Sequence, residues 1–300
     1  MIEWLKAADK ALWVLRTTGK ILPKALDSFR TPAPARHWIP RLNAYLKGEA
    51  EVCRLLSAEP QLVIDGPILL SPAEEQRAEQ YRTTLAINDP VAVLSGDLIH
   101  GDNPVVIHVR SGDYAAVCAL DVRGHRPAMI SANALLYCPD SEELVLHRRA
   151  LGVSRDYPGV LHTFGGAYMP PGIDAREFDH LSLLMTARRE TAEESGLGID
   201  IANVPCLLLG RESKIGFLHV ALLGMQVSKN ALALAIASKE GRHTTIKCAD
   251  LQHALNTEQW VPAGKAQVLS WLAMGAPNSG RRVRFGRQSA QELFDSIVPG

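Results

Sequence analysis

Arg189-Glu190-Thr191-Ala192-Glu193-Glu194-Ser195-Gly196-Leu197 places three carboxylates at i, i+3 and i+4 of what reads as the end of a helix, so one helical face carries all three acids. Like charges one turn apart repel by about 0.2–0.5 kcal/mol per pair in water, and by more when desolvated. A divalent cation relieves the repulsion. Hard carboxylate oxygens favour Mg2+ or Mn2+, which keep several waters and take the rest of their shell from phosphates. Gly196 then lets the chain leave the helix sharply, and Leu197 turns back toward the core. The bland alternative is a solvated helix face laced with Arg–Glu pairs. Three features outside the cluster weigh against it: the upstream Phe164-Gly165-Gly166 turn, the apolar positions Leu181, Leu183, Leu184 and Ala187, and the Gly-Leu exit.

These residues resemble the box of the Nudix hydrolase family, G-x5-E-x7-R-E-U-x-E-E-x-G-U, with U a bulky aliphatic residue. The second half matches except for Thr191 at the first U. The first half is out of register, because Gly166 lies 23 positions before Arg189, nine more than the pattern. Tyr168-Met169-Pro170-Pro171-Gly172-Ile173 reads as part of an inserted loop, stiffened by prolines that cannot continue a helix. We expect Tyr168 to Phe178 to lie over the site and act in substrate choice. Leu181 occupies the place of the first box glutamate. Asp179, Glu177 and Asp174 are the stand-ins, Asp179 first because it can cap a helix beginning near His180.

The resemblance covers roughly residues 128 to 275. It implies an α/β fold, a Nudix-like α/β/α sandwich with a mixed sheet, here preceded by an N-terminal α+β region. It also implies Mg-dependent hydrolysis of a diphosphate linkage in a nucleoside diphosphate derivative. Glu190, Glu193 and Glu194 are then ligands of Mg2+ (or Mn2+), and Arg189 orients a carboxylate by a charge-assisted hydrogen bond. Gly165 and Gly166 allow close backbone approach at the head of the site. Many members use a further glutamate on a loop after the box. Glu240, in Ser238-Lys239-Glu240-Gly241, stands in such a place, an ordinary loop glutamate being the equal alternative. Arg148, Arg149 and Arg155 precede the glycine turn and are candidates to meet phosphates, although solvated arginines after a strand are the commoner case. Which diphosphate is cleaved stays open. Two other function classes remain: a Nudix-fold sensor that binds a nucleotide ligand without cleaving it, and an interaction module whose acidic helix is mere surface.

Lys+Arg and Asp+Glu each total 32 over 300 residues, so no global field draws the chain onto nucleic acid or an anionic membrane. The expected partner is a small-molecule nucleoside diphosphate derivative, with no nucleic acid and no membrane, and the reading allows a homodimer. The five cysteines, Cys53, Cys118, Cys138, Cys206 and Cys248, are widely spaced and form no C-x-x-C, which argues against zinc or a disulfide framework and for a reducing cytoplasm. The N-terminus, broken by Lys6, Asp9, Lys10 and Arg16, lacks a signal-peptide core and is too polar to span a bilayer.

Trp4, Ala8, Leu12 and Leu15 recur at helical spacing. A second helix is expected from about Leu42 to Leu56, and a third after the Ser71-Pro72-Ala73-Glu74 capping signature. Strands are expected at Gln61 to Ile64, Val91 to Leu98, Val105 to Arg110 and Tyr114 to Val122. His100 and His108 have no metal-ligating neighbours in sequence and read as structural. The best boundary is Arg123 to Pro127, dividing residues 1–127, an α+β region of unknown role, from a hydrolase-like domain, 128–275. The latter should hold a hairpin (Ala132 to Tyr137, Leu144 to Arg148), strands at Cys206 to Gly210, Ile215 to Val227 and Thr244 to Cys248, and a closing helix at Lys265 to Met274. Leu232 to Ala237 reads as strand or short helix. Residues 276–300 read as a basic, solvated or partner-facing tail carrying Arg281, Arg282, Arg284 and Arg287, with a short helix from Ala290 to Ile297.

Overall fold

Met129–Cys138 is a run of ten residues, all buried, and the sheet is assembled around it. The computed structural model describes residues 37–86, 88–96, 104–121, 127–152, 157–171, 182–213, 216–278 and 283–300, all within one compact unit, residues 37–300. The Trp4 to Leu15 helix, His100, Arg155, the acids Asp174, Glu177 and Asp179, Leu181, Arg281 and Arg282 lie outside the described residues.

In chain order come α1 (Trp38–Leu46), β1 (Ala50–Leu56), β2 (Gln61–Pro67), α2 (Pro72–Thr84), β3 (Pro90–Leu94), β4 (Val106–Asp113) and α3 (Tyr114–Leu120). There follow β5 (Met129–Cys138), β6 (Glu143–Arg149), β7 (Leu161–His162), β8 (Phe164–Ala167) and α4 (Leu183–Ser195). The rest are β9 (Cys206–Glu212), β10 (Phe217–Gln226), α5 (Lys229–Ala233), β11 (Gly241–Lys247), α6 (Leu251–Thr257), α7 (Pro262–Ala273) and α8 (Ala290–Ile297). The strands form one mixed sheet ordered β1-β9-β10-β5-β3-β4-β2, with β6 and β8 also on β5 and β11 and β7 on β6. β10/β5 and β2/β4 are parallel. The strands on either side of residues 122–126 therefore share a sheet, joined by β1/β9 and by the Val93–Met129 pair.

Strand alternation sends Ile130, Ala132, Ala134 and Leu136 to one face, where they meet Leu183 and Ala187 of α4 together with Phe164 and Tyr168. α7, buried at every residue but Lys265, covers the opposite face, with Trp271 set 5.8 Å from Tyr137. This layering, helix on either side of a mixed sheet, is the α/β arrangement expected.

Several elements differ from expectation. The Leu42 to Leu56 segment is not one helix: Lys47 and Gly48, at φ 50° and 78°, end α1, and Asn43 pairs with Val52 in both directions (2.8 and 3.0 Å) to start β1. Tyr114–Leu120 is a helix, not a strand, because Asp113 caps it through the Ala116 N–H (2.9 Å) and Asn88 accepts the Ala115 N–H (2.7 Å). The Ser71 capping box is present as read, and Lys229–Ala233 resolves the strand-or-helix alternative as a short helix. The final segment belongs to the core: Val283, Phe285, Leu293 and Phe294 are buried, Phe294 meets Trp38 edge-on, and Arg41 donates to the Val298 carbonyl at 2.6 Å.

Candidate active site

α4 delivers the acids. Its start lies at Leu183, not near His180: Ser182 is the N-cap, accepting the Met185 N–H at 3.2 Å. Glu59, from the β1–β2 turn, brings an acid to this end; Asp179, Glu177 and Asp174, the acids expected here from the insertion, lie outside the described residues. Glu59 Oε1 accepts the Ser182 hydroxyl (2.8 Å) and the Leu184 N–H (3.1 Å), adding negative charge where the helix dipole favours it. Thr191, the departure from the aliphatic box position, is buried with its hydroxyl donating to the Ala187 carbonyl at 2.7 Å, so its polarity is satisfied locally. Gly196, at φ 71°, closes the helix in the left-handed region.

At the far end of α4 the helix faces β8. Gly165 donates its N–H to Glu194 Oε2 at 2.9 Å, while Glu194 Oε1 lies 2.8 Å from His147 Nδ1, both side chains being almost fully buried. Arg189 bridges Glu190 (2.8 Å) and Glu193 (3.0 Å) through one nitrogen and donates to the Ala167 carbonyl at 3.0 Å through another. Gly166 touches the acid cluster most closely, since a Cβ there would collide with the Glu190 carboxyl group. Gly165, at φ 153°, has no room for a Cβ beside Ala132 and Asn133. The two glycines thus form a notch that brings backbone against carboxylates, as only glycine allows.

Burial dominates the electrostatics. The Glu190 carboxyl is pushed up to about 8, chiefly by desolvation, with Arg189 opposing and Glu194 and Glu193 adding to the rise. Glu194 is also raised, first by desolvation, with His147 and the Gly165 N–H opposing and Glu240 reinforcing. Two buried, mutually repelling carboxylates with hard oxygens suit a hard divalent cation, which would favour their charged forms. Among the described residues, however, no three such side chains stand grouped to hold an ion as they are. Arg189 draws Glu190 and Glu193 to itself, and Glu194 is turned to Gly165 and His147.

Two hollows meet at the notch. A cleft of about 670 Å3 is lined by Arg189, Glu190, Glu193, Met169, Lys239 and, from the earlier part of the chain, Asn88, Asp89 and Pro90. A smaller cavity of about 240 Å3 lies over the α7-side residues Ser131 and Asn133. Gly166, Glu194 and Glu240 line both, so Glu240 is brought to the acids from the turn before β11. Arg148 is not: its guanidinium donates to the Gly159 carbonyl (3.2 Å) and Glu258 (3.1 Å). The next residue, Arg149, lines the cavity instead. Of the loop expected to cover the site, Met169 lines the cleft but Tyr168 is fully buried in the core. Sequence reading missed His147, Glu59, His162, Glu212 and His219. The available signal was polar residues at alternate positions of apolar strands, as in Ser131 and Asn133 of β5 or His219 of β10.

No family model and no curated protein matches the chain. Solved structures do. A MutT protein from Methanosarcina mazei Go1 is 23% identical, matched over 46% of this chain and 86% of its own, at a TM-score of 0.33. The NUDIX domain of Shewanella oneidensis NrtR, complexed with ADP ribose, is 14% identical over 41% of this chain and 75% of its own, at a TM-score of 0.30. A bifunctional NMN adenylyltransferase/ADP ribose pyrophosphatase from Francisella tularensis, complexed with AMP and a Mn ion, is 11% identical over 51% of this chain and 43% of its own, at a TM-score of 0.37. The fold of this chain is Nudix-like in its own right: a mixed sheet between helices, with the R-E-x-x-E-E helix packed beside a Gly-Gly strand.

Proposed function

We propose that this chain hydrolyses a diphosphate linkage in a nucleoside diphosphate derivative, with Mg2+ or Mn2+ held by Glu190, Glu193 and Glu194. The observation that carries the reading is that these acids and Glu240 line one cleft together with Gly166. Residues 128–275 carry the chemistry, and the earlier region supplies Glu59 and one wall of the cleft. The bound ion supplies charge neutralisation on adjacent phosphoryl groups and a more acidic water. The chain's own residues do the rest. The glycines let the diphosphate approach the backbone, Arg189 orients Glu190 and Glu193, and Gly165 with His147 fixes Glu194. Glu240, at the junction of cavity and cleft, is placed to accept a proton from an attacking water. The test is a screen of nucleoside diphosphate derivatives with and without Mg2+ or Mn2+, with product identification. Metal-dependent release of phosphomonoesters is the expected result. Intact substrates throughout would overturn the reading.

A second reading, a nucleotide-ligand sensor without turnover, is favoured by Arg189, which already pairs with both Glu190 and Glu193. Tight nucleotide binding with no metal-dependent product in the same screen would select it.

A further inference from the structure

The turn that carries Glu240 presents a second charged side chain to the cleft. Ser238-Lys239-Glu240-Gly241 is closed by backbone hydrogen bonds in both directions, the Ser238 N–H donating to the Gly241 carbonyl (2.9 Å) and the Gly241 N–H to the Ser238 carbonyl (3.3 Å). The Ser238 hydroxyl also accepts the Glu240 N–H at 3.1 Å. Lys239 and Glu240 therefore stand at the two corners of a tight turn. Both sides of that turn are fastened. The Ile236 N–H donates to the Ser195 carbonyl at the end of α4 (2.9 Å), and the Ala150 N–H, just past β6, to the Glu240 carbonyl (2.7 Å). Gly241, at φ 156°, lies so close to the Arg148 carbonyl and to His147 that a Cβ would collide with both. The turn is thus tied to the helix that bears the acids, and Lys239 lines the same cleft as Glu190 and Glu193.

Lys239 is exposed, and no carboxylate among the described residues pairs with it. Arg189 and Lys239 are the cations of the cleft lining; the other charged residues there are acids. Arg189 is committed to Glu190, Glu193 and the Ala167 carbonyl. Arg148 is turned to Gly159 and Glu258, and Arg149 lines the smaller cavity. A diphosphate entering this cleft brings several negative oxygens to walls that are mostly acidic, and those beyond the reach of a metal ion need a positive donor from the chain. An ammonium on a flexible stem suits that need, since its three donors meet a phosphoryl oxygen without a fixed planar geometry. At about 670 Å3 the cleft falls within the roughly 300–1,000 Å3 of small-molecule sites.

We propose that Lys239 is the phosphate-binding cation of this cleft, its ammonium donating to a phosphoryl oxygen of the diphosphate beside Glu240 in the same turn. The assignment rests on the diphosphate reading above. It gives to the turn before β11 the role that sequence reading gave to Arg148.

The test is calorimetric binding of methylenediphosphonate at saturating Mg2+, and of Mg2+ alone, to the full chain. Lys239→Ala should weaken methylenediphosphonate by about 10- to 100-fold and leave Mg2+ bound as tightly as before or tighter, because a positive charge beside the acids is gone. Lys239→Arg should keep methylenediphosphonate within about fivefold. Lys247→Ala, which removes an exposed lysine at the other end of β11, should leave it within twofold and so controls for net charge. The turn's hydrogen bonds come from backbone and Ser238, so each variant keeps the fold, as thermal melting would verify. Methylenediphosphonate bound within twofold of wild type by Lys239→Ala, or weakened equally by Lys247→Ala, would overturn the assignment while the diphosphate reading stands. Mg2+ alone weakened as much as methylenediphosphonate would overturn it too, placing the effect on the metal. A wild type that fails to bind methylenediphosphonate with Mg2+ would overturn the diphosphate reading, and this assignment with it.

Discussion

Replacing Glu59 tests how the acid-bearing helix is held. Glu59 Oε1 takes two donors at the start of α4, the Ser182 hydroxyl and the Leu184 N–H. Glu59→Ala leaves the Leu184 N–H without its acceptor and removes a negative charge from the positive end of the helix. Loss of a capping acceptor costs about 0.5–2 kcal/mol and loss of the dipole contact about 0.3–1 kcal/mol, so the variant should be about 1–3 kcal/mol less stable. Glu59→Gln keeps an acceptor and should lose only the charge contribution, about 0.3–1 kcal/mol. Ser182→Ala should cost about 0.5–2 kcal/mol by itself. Because Glu59 acts partly through the Ser182 hydroxyl, the double variant should be less damaged than the sum of the two, by about 0.5 kcal/mol or more. Urea titration of the full chain reads all four species, with unchanged m-values marking a change in stability alone. A Glu59→Ala protein within about 0.3 kcal/mol of wild type, or strict additivity in the cycle, would refute the account of the helix start.

Glu193→Gln and Glu194→Gln should each lose most metal-dependent hydrolysis while far-UV circular dichroism stays native, since each removes a charge from the acids proposed to hold the metal; wild-type turnover at saturating Mg2+ would oppose the site. Gly165→Ala, at a φ of 153°, drives a methyl group into the Ala132 carbonyl oxygen and should destabilise by about 1–3 kcal/mol, read by thermal melting. His219 sits at about 4 when folded against 6.5 for the free side chain, so between these values the unfolded chain binds the extra proton and stability rises with pH. This contribution, up to about 3 kcal/mol, is present above pH 6.5 and lost as pH falls toward 4. His219→Gln should remove that share of the slope, as denaturation at pH 4.5 and 6.5 would show.

The acid helix was legible because its chemistry is local: charges at i, i+3 and i+4, a helix-ending Gly196 and apolar Leu183 and Ala187 all lie within one stretch of sequence. The same holds for the Ser71 capping box. Tyr114 to Leu120 misled because a short apolar run has no clear period, and its deciding contacts come from Asp113 and Asn88. Ala50–Leu56 misled because Val52, Leu55 and Leu56 also fit helical spacing, and only pairing with β9 makes them strand. The partners that finish the site, Glu59 at Ser182, His147 at Glu194 and Tyr157 at Glu212, are contacts between distant parts of the chain. Nothing in the sequence around any one of them announces the other.

The order of strands sets a schedule for synthesis. β5, the central strand, emerges from the ribosome long before β10, the parallel neighbour it needs on one side, and β1 waits longer still for β9. Pairings so distant pay loop-closure entropy before any contact rewards them, which slows folding and prolongs the exposure of apolar edges. Until residues 206–226 have left the ribosome exit tunnel, the nascent chain carries β5 as an open apolar edge, a natural client for holding chaperones. A chain cut short before β9 would keep that edge permanently and be drawn into aggregates.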